Sequence, residues 1–173
     1  MPYYLSKPIA ITAYDPQWPA RFEEEKARIL GVLGDVVVAM EHFGSTAVPG
    51  LAAKPLVDLL AGVRRLNDVH RHVAALEHAG YVDCAIQVPG RRLFSRGGPY
   101  NEGTHHLHFV VYGSEAWAAP LRFRDYLRTH PGAARRYEQL KRAAAARHGH
   151  DIDGYSDEKA AFVQEALAET RAG

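Results

Sequence analysis

The sequence predicts an α+β fold for a single domain over residues 1–173, in which helices flank a mixed β-sheet. In the first two thirds of the chain, short apolar runs rich in β-branched residues alternate with segments of helical periodicity. Residues 114–171 instead form a helical C-terminal part, with three successive helical segments separated by Pro and Gly. A chain of 173 residues has the usual length of one domain. This order of elements favours one sheet with helices packed on it.

The individual helices and strands are predicted from the local pattern of apolar and β-prone residues. Residues 1–16 contain three prolines and are predicted to form an extended N-terminal arm. Helices are expected where apolar residues recur every three or four positions, and strands where β-prone residues are continuous. The predicted helices span residues 17–33, 66–79, 115–129, 132–147 and 156–171, and the predicted strands span residues 35–43, 56–63, 81–88, 92–95 and 105–112.

Composition excludes several classes of protein. Lys and Arg number 21 against 20 for Asp and Glu, so the net charge of +1 gives no argument for binding nucleic acid or an anionic membrane. No apolar run reaches the ~20 residues of a membrane span. The N-terminus lacks the pattern of a secretory signal. The single cysteine forms no internal disulfide and suits a reducing compartment. We therefore expect a cytoplasmic protein whose anion site, where present, is local.

The segment that ends at Asp58 carries the strongest sign of a site. A predicted strand runs into Gly44, Ser45 and Thr46, where glycine tolerates positive φ, and backbone N–H groups and hydroxyls can surround an anion. Lys54 adds a cation. Asp58 lies inside an apolar strand, where an ionised carboxylate needs a partner. Two interpretations stay open: a phosphate-binding loop with a divalent metal on Asp58, or a plain turn in which Asp58 caps backbone groups.

This segment resembles the signature of the GrpB family, in which a Gly-Ser-Thr-Ala-Val-Pro-Gly-Leu run leads to Lys-Pro and then to Asp on a strand. The resemblance covers roughly residues 15–165. Further matching residues are Thr104 to His108, Phe123 to Arg128, His130, Pro131, Tyr137, Leu140, Lys141, Tyr155 and Lys159. The family is grouped with the nucleotidyltransferase superfamily. The resemblance therefore implies a nucleotidyltransferase-like mixed sheet, a nucleotide or other phosphorylated small molecule as ligand, and a divalent metal such as Mg, Mn or Zn.

One position departs from the superfamily pattern. Active nucleotidyltransferases carry two acids two residues apart on this strand, because alternate side chains share a face and hold the metals together. The partner position of Asp58 is Leu60, which cannot bind a cation. We expect Leu60 to share with Asp58 a face that is open to the cleft. The leucine argues against two-metal nucleotidyl transfer and leaves nucleotide or phosphate binding open.

Histidines are the next candidates. In a strand, His106 and His108 share one face and His105 lies opposite. The resemblance places a third acid of the superfamily on this strand, so His106 and His108 are predicted beside Asp58 as catalytic proton-transfer groups or metal ligands. His42, just before the loop, is a candidate further ligand. The alternative is that these are half-buried histidines hydrogen-bonded to the backbone.

Basic residues complete the predicted phosphate site. Arg91, Arg92 and Arg96 lie around a Gly-rich turn before the histidine strand, and a guanidinium can bind two phosphate oxygens at once, with Arg92 and Arg96 as the favoured contacts. Lys141, on a predicted helix, resembles the helical lysine that contacts the triphosphate in related folds. The alternative for all four is a solvated basic surface.

Three functions from different classes remain open. The first is a nucleotidyltransferase that uses Asp58 and a metal. The second is a non-catalytic nucleotide-binding domain that regulates or supports a partner such as a CoA-biosynthesis kinase, because GrpB-like domains are fused to dephospho-CoA kinase in some bacteria. The third is a metal-dependent enzyme that uses Asp58, His106 and His108. The sequence identifies neither the nucleotide nor the acceptor, the metal or the oligomeric state.

Overall fold

A computed structural model describes residues 5–85 and 88–172 of the chain. Residues 1–4 of the predicted arm and residues 86–87 of the strand predicted over 81–88 lie outside the described residues. The helices are α1 (Trp18–Leu33), α2 (Val73–His78), α3 (Glu115–Thr129), α4 (Pro131–His148) and α5 (Ile152–Ala172). The strands are β1 (Val37–Phe43), β2 (Val57–Val63), β3 (Tyr81–Asp83), β4 (Arg91–Arg96) and β5 (His105–Val111).

Within the described residues, the five strands form one mixed sheet in the order β1-β2-β5-β4-β3. β2 and β5 pair in parallel, and the other neighbours pair antiparallel. A parallel pair requires a long crossover, and here the crossover from β2 to β5 carries α2, β3 and β4. The predictions of an α+β fold with a mixed sheet and a helical C-terminal third are confirmed.

The two faces of the sheet are covered by different parts of the chain, because successive side chains of a strand point to opposite faces. One face packs against α1 and α2 and forms the main core. Its fully buried members include Leu59, Ala61, Phe94, Leu107 and Phe109 from the strands and Trp18, Ile29 and Leu76 from the helices. The other face carries Asp58, His106 and His108 and lies towards the C-terminal helices.

Two predicted helices have different boundaries in the structure. The helix expected over 66–79 is a 3₁₀ helix at Leu66–His72 followed by α2. α5 begins at Ile152 and not at Ser156. Ile152 and Tyr155 are buried in a cluster with Leu5 and Ile9 of the arm, so burial against a distant segment lengthens the helix. Among the described residues, none of the helices is long and apolar enough to cross a membrane.

Candidate functional site

A cavity of about 350 Å³ lies between the open part of the sheet face and helices α4 and α5. Its walls are the loop after β1, the ends of β2, β4 and β5, and the turn before β5. The ionisable side chains that line it are Lys54, Asp58, Arg91, Tyr100, His106, His108, Tyr137, Lys141, Tyr155 and Lys159. Asp58 is the one carboxylate among the described lining residues. The cavity therefore combines one acid with several cations.

Strand pairing brings the acid and the two histidines together. In the parallel register of β2 and β5, Asp58 lies beside His106, and Leu60 lies beside His108. Oδ1 of Asp58 is 3.6 Å from Nδ1 of His106 and 3.4 Å from Nε2 of His108. Each of the three residues offers one ligand atom, and these atoms lie within 4.8 Å of one another. Distance alone thus allows a shared metal ion, and the predicted clustering of Asp58, His106 and His108 is confirmed.

The hydrogen bonds of the two rings test whether a metal fits there. The backbone N–H of Asn101 donates to Nε2 of His106 at 3.2 Å. Nη1 of Arg91 lies 3.1 Å from Nδ1 of His108, and a guanidinium can only donate. Each neutral ring must then carry its proton on the nitrogen that faces Asp58. A metal-bound histidine shows the reverse pattern, because its far nitrogen donates to an acceptor. The residues are close enough for an ion, but their hydrogen bonding does not fit one.

Burial and hydrogen bonding act in opposite directions on the pKa values of Asp58 and His108. Burial raises the pKa of the Asp58 carboxyl, but hydrogen bonds and charge from His106 and His108 outweigh it and hold the pKa well below its usual range. Burial lowers the pKa of His108 to about 4 against the attraction of Asp58. At neutral pH, Asp58 is therefore an anion, and His108 is neutral and donates to it.

The loop after β1 approaches the acid very closely. Gly44 has φ 74° and ψ −175°, a conformation that is essentially restricted to glycine. A Cβ at this position would lie 2.5 Å from Oδ2 of Asp58. The 3₁₀ helix Ser45–Ala47 follows directly, so Ser45 and Thr46 lie at the cavity wall. Glycine is thus needed here both for the backbone conformation and for space.

Lys141 connects this loop to α4. Its side chain is only 2% exposed, and Nζ donates to Oγ of Ser45 at 3.0 Å and to the carbonyl oxygen of Ala52. Burial lowers the pKa of Lys141 to about 7; Glu138 opposes this shift, while Arg142 and Lys54 add to it. Lys141 thus lies at the Gly-Ser loop, and its predicted contact with a phosphate ligand stays a prediction.

Two further lysines lie against the ring of Tyr155 from α5. Nζ of Lys159 is 4.1 Å from the ring centroid, and Nζ of Lys54 is 5.7 Å from it. Burial lowers the pKa of Lys159 to about 7 and that of Lys54 to about 8, and Lys54 also lowers the pKa of Lys159 by repulsion. Lys54 donates to Oδ1 of Asn101, whose backbone N–H holds His106. The cavity thus gathers cations that an anionic ligand would stabilise.

The arginines on β4 correct the sequence prediction. Arg92 forms an ion pair with Asp83 at 2.7 Å, and Arg96 forms one with the buried Glu25 at 2.7 Å. Both lie on the sheet face opposite Asp58, so neither reaches the cavity and their assignment as phosphate ligands is wrong. The alternation of the strand instead turns Arg91 to the site.

His42 also lies away from the predicted metal cluster. Its ring stacks on Phe22 at 4.9 Å, and its Nε2 is 2.9 Å from Oγ1 of Thr46. Burial lowers the pKa of His42 to about 4. Because His42 precedes Phe43, the strand neighbour of Asp58, it points to the opposite face of the sheet. The prediction of His42 as a further ligand is therefore wrong; Thr46 does line the cavity, with its hydroxyl engaged by this ring.

Leu60 shares the face of Asp58 but not its surroundings. It is fully buried in a cluster with Phe43 and Val110, against Trp117 and Leu121 of α3. The expectation that Leu60 faces an open cleft is wrong, because α3 covers this part of the sheet. No acid at position 60 could reach the cavity without disturbing that cluster.

Sequence reasoning gave too little weight to Arg91, Asn101 and Lys159, which line the cavity. Arg91 was passed over for its neighbours, since the alternation of β4 is informative only once its register with β5 is known. Asn101 lies in the turn before β5 with φ 60°, a left-handed conformation that asparagine adopts more readily than most residues. Lys159 was noted only as part of the family resemblance. Its place in the site depends on how α5 packs, and no local pattern signals that.

The mixed sheet, the helical C-terminal third and the Gly-Ser loop beside a strand carboxylate define an α+β protein with a cationic cavity at one end of its sheet. The family model described as GrpB protein matches residues 8–169. The chain belongs to the GrpB family.

Relatives and a solved structure agree with this membership. The chain is 37% identical over 164 residues to the UPF0157 protein YqkA of Bacillus subtilis (strain 168), covering 94% of this chain and 47% of that protein. It is 28% identical over 183 residues to a dephospho-CoA kinase of Mycolicibacterium paratuberculosis, covering 92% of this chain and 45% of the kinase. The chain thus spans about half the length of these two relatives. The crystal structure of conserved protein GrpB from Enterococcus faecalis superposes with a TM-score of 0.84 at 34% identity, covering 93% of this chain and 96% of that one.

Proposed function

We propose that the cavity binds a nucleotide or another phosphorylated small molecule, with phosphoryl oxygens against the Gly44-Ser45 loop. One observation carries the proposal: the buried ammonium of Lys141 donates to Oγ of Ser45 at the cavity wall. A hydroxyl, a lysine and the N–H groups of a glycine turn are the groups that proteins use to hold phosphate.

The charge of the cavity supports the same ligand class. Lys54, Lys141, Lys159 and Arg91 line a space that holds one carboxylate, Asp58, among its described residues. Burying cations without matching anions is costly, as the lowered pKa values of the three lysines reflect. A phosphate ligand supplies the missing negative charge and stabilises the protonated lysines.

Binding is the proposed activity, and nucleotidyl transfer is not part of the proposal. Transfer by the two-metal route clamps the attacking and leaving oxygens between ions that two acids hold. Here Asp58 is available, but its partner position is the core residue Leu60.

Thermal melts with each nucleoside triphosphate, inorganic phosphate and dephospho-CoA test the proposal. A ligand at 100 times its Kd stabilises the folded state by about 2.7 kcal/mol, which is roughly 5–10 °C for a chain of this size. We expect such a shift for at least one of these compounds. It should be lost in Ser45→Ala and Lys141→Met and kept in Lys26→Met, which removes a lysine outside the cavity. Equal shifts in all four proteins would place the ligand elsewhere.

A second candidate is a domain that supports a CoA-biosynthesis enzyme by holding its nucleotide. The match of nearly the whole chain to about half of a dephospho-CoA kinase favours it. This candidate expects dephospho-CoA to shift the melt more than any triphosphate does. A third candidate, a metal-dependent enzyme that uses Asp58, His106 and His108, is allowed by their mutual distances within 4.8 Å but opposed by the hydrogen bonds of the two rings. It expects tight binding of Mn or Zn to the protein alone.

A further inference from the structure

We infer that the cavity binds the diphosphate or longer polyphosphate part of its ligand through its own side-chain cations, with no divalent metal as a bridge. The inference rests on the proposed phosphate site and names the ligand part and the way it is held. It is carried by the hydrogen bonds of the two histidines, by the burial of Leu60 and by the cations that surround Asp58.

The contact between Arg91 and His108 is the strongest evidence against a metal ion at this site. Nη1 of Arg91 is 3.1 Å from Nδ1 of His108, so the ring must accept there and donate from Nε2 towards Asp58. A metal on Nε2 would require the proton on Nδ1, where it would face the N–H of a permanent cation. Arg91 therefore opposes a metal twice, through hydrogen-bond geometry and through charge.

His106 is held in the same way from the other side. The backbone N–H of Asn101 donates to its Nε2 at 3.2 Å, which leaves the proton on the nitrogen nearer Asp58. The ring of Tyr100 stacks on His106 at 5.4 Å, with 5° between the planes, and so restricts a ring rotation that would turn Nδ1 away from Asp58. Both rings thus direct N–H groups to one carboxylate. Both N–H groups lie nearest to Oδ1 of Asp58, so an ion on that oxygen would have to displace them.

The number of charges indicates the length of the anion. Four cations, Lys54, Arg91, Lys141 and Lys159, less one for Asp58, leave a net charge of +3 when the lysines are protonated. A phosphate monoester carries at most two negative charges, whereas a diphosphate carries up to three in its usual esters. The cations also lie on four separate segments, namely β4, α4, α5 and the loop before β2. A ligand with two or more phosphoryl groups can contact all four cations at once, whereas a single phosphoryl group is too small to do so.

Calorimetric titration with inorganic pyrophosphate tests the inference. The parent protein is titrated in EDTA and again with excess Mg, and Mn and Zn are titrated alone. We expect pyrophosphate to bind in EDTA at least as tightly as in Mg, because Mg complexes the free anion, and the metals alone to give no saturable binding at the site. Arg91→Met should weaken pyrophosphate binding about tenfold or more, because a charge-assisted contact is lost. Arg92→Met, the adjacent arginine on the opposite face, should leave the Kd within about twofold.

The outcomes separate this inference from the proposed function. Pyrophosphate binding that requires Mg or Mn would overturn the metal-free site and leave the phosphate-binding proposal intact. Tight Mn or Zn binding that His106→Ala abolishes would also overturn it. No binding of pyrophosphate, phosphate or any nucleotide under any of these conditions would overturn both. A melt and a circular dichroism spectrum of each variant show that the comparison is made on folded protein.

Discussion

Nζ of Lys141 donates a hydrogen bond to Oγ of Ser45 at 3.0 Å, although the two residues are 96 positions apart in the chain. One comes from the glycine loop after β1, and the other comes from α4. Their contact closes one wall of the cavity and places a nearly inaccessible ammonium group beside the loop. An ionisable group in such surroundings makes both stability and ligand binding depend on pH.

The first prediction concerns pH and Lys141. Its pKa is about 7 in the folded protein against an ordinary value of 10.5. Below pH 7 the ammonium is charged in both states, and its full burial cost applies. Between pH 7 and 10.5 the unfolded chain binds more protons than the folded protein, so the free energy of unfolding rises with pH. We expect this one group to add about 2 kcal/mol between pH 7 and pH 9, measured by urea unfolding.

Ligand affinity should change in the opposite direction. Sulfate keeps its charge over this pH range, so its affinity should fall as pH rises and the lysines lose their protons. Lys141→Met should reduce both dependences and leave the parts that Lys159 and Lys54 contribute, and Lys26→Met should retain them in full. Identical slopes of unfolding free energy against pH in the parent and in Lys141→Met would show that Lys141 is an ordinary lysine.

The second prediction compares two glycines with positive φ. Gly50 has φ 81° and open space where a Cβ would lie, whereas a Cβ on Gly44 would lie 2.5 Å from Oδ2 of Asp58. Gly50→Ala should cost roughly 1–2 kcal/mol of unfolding free energy through backbone strain alone. Gly44→Ala should cost more and should also remove phosphate binding, because Asp58 and the loop are forced apart. Urea unfolding and calorimetric titration measure the two effects. Equal losses of unfolding free energy in the two variants would mean that the loop moves away from Asp58 without further cost.

The third prediction concerns the departure from the superfamily pattern. Leu60→Asp places a carboxylate in the apolar cluster under α3 and should cost about 3 kcal/mol or more in urea unfolding. Leu60→Met keeps the volume and should cost less than about 1.5 kcal/mol. A Leu60→Asp protein as stable as the parent would show that α3 leaves this face accessible.

The fourth prediction separates two arginines on one strand. Arg96→Met removes an ion pair with the buried Glu25, which keeps Arg28 and Tyr81 as partners, so it should cost about 1 kcal/mol of stability. Its effect on phosphate affinity should be negligible, because Arg96 lies on the far face. Arg91→Met should weaken binding with little loss of stability. The two readouts are urea unfolding and calorimetric titration, and a binding defect in Arg96→Met would contradict the assignment of faces.

The sequence was sufficient where the physical cause is local. The alternation of side chains along a strand places His106 and His108 on one face, and the structure confirms this together with their contact to Asp58. The β-prone runs and the helical periodicity likewise predicted most elements within one or two residues. The Gly-Ser turn followed by a strand acid identified the loop that the cavity uses.

The tertiary structure decided what covers each part of that face. Asp58 and Leu60 share a face by alternation, yet one opens to a cavity and the other is fully buried, because α3 covers only the second. The choice of Arg91 over Arg92 depends on the register between β4 and β5. The contacts of Lys141 with Ser45 and of Lys159 with Tyr155 depend on the packing of α4 and α5. The alternation of side chains is a property of one strand and can be read from its local sequence. Helix packing depends on the whole chain, so no local pattern could have predicted these contacts.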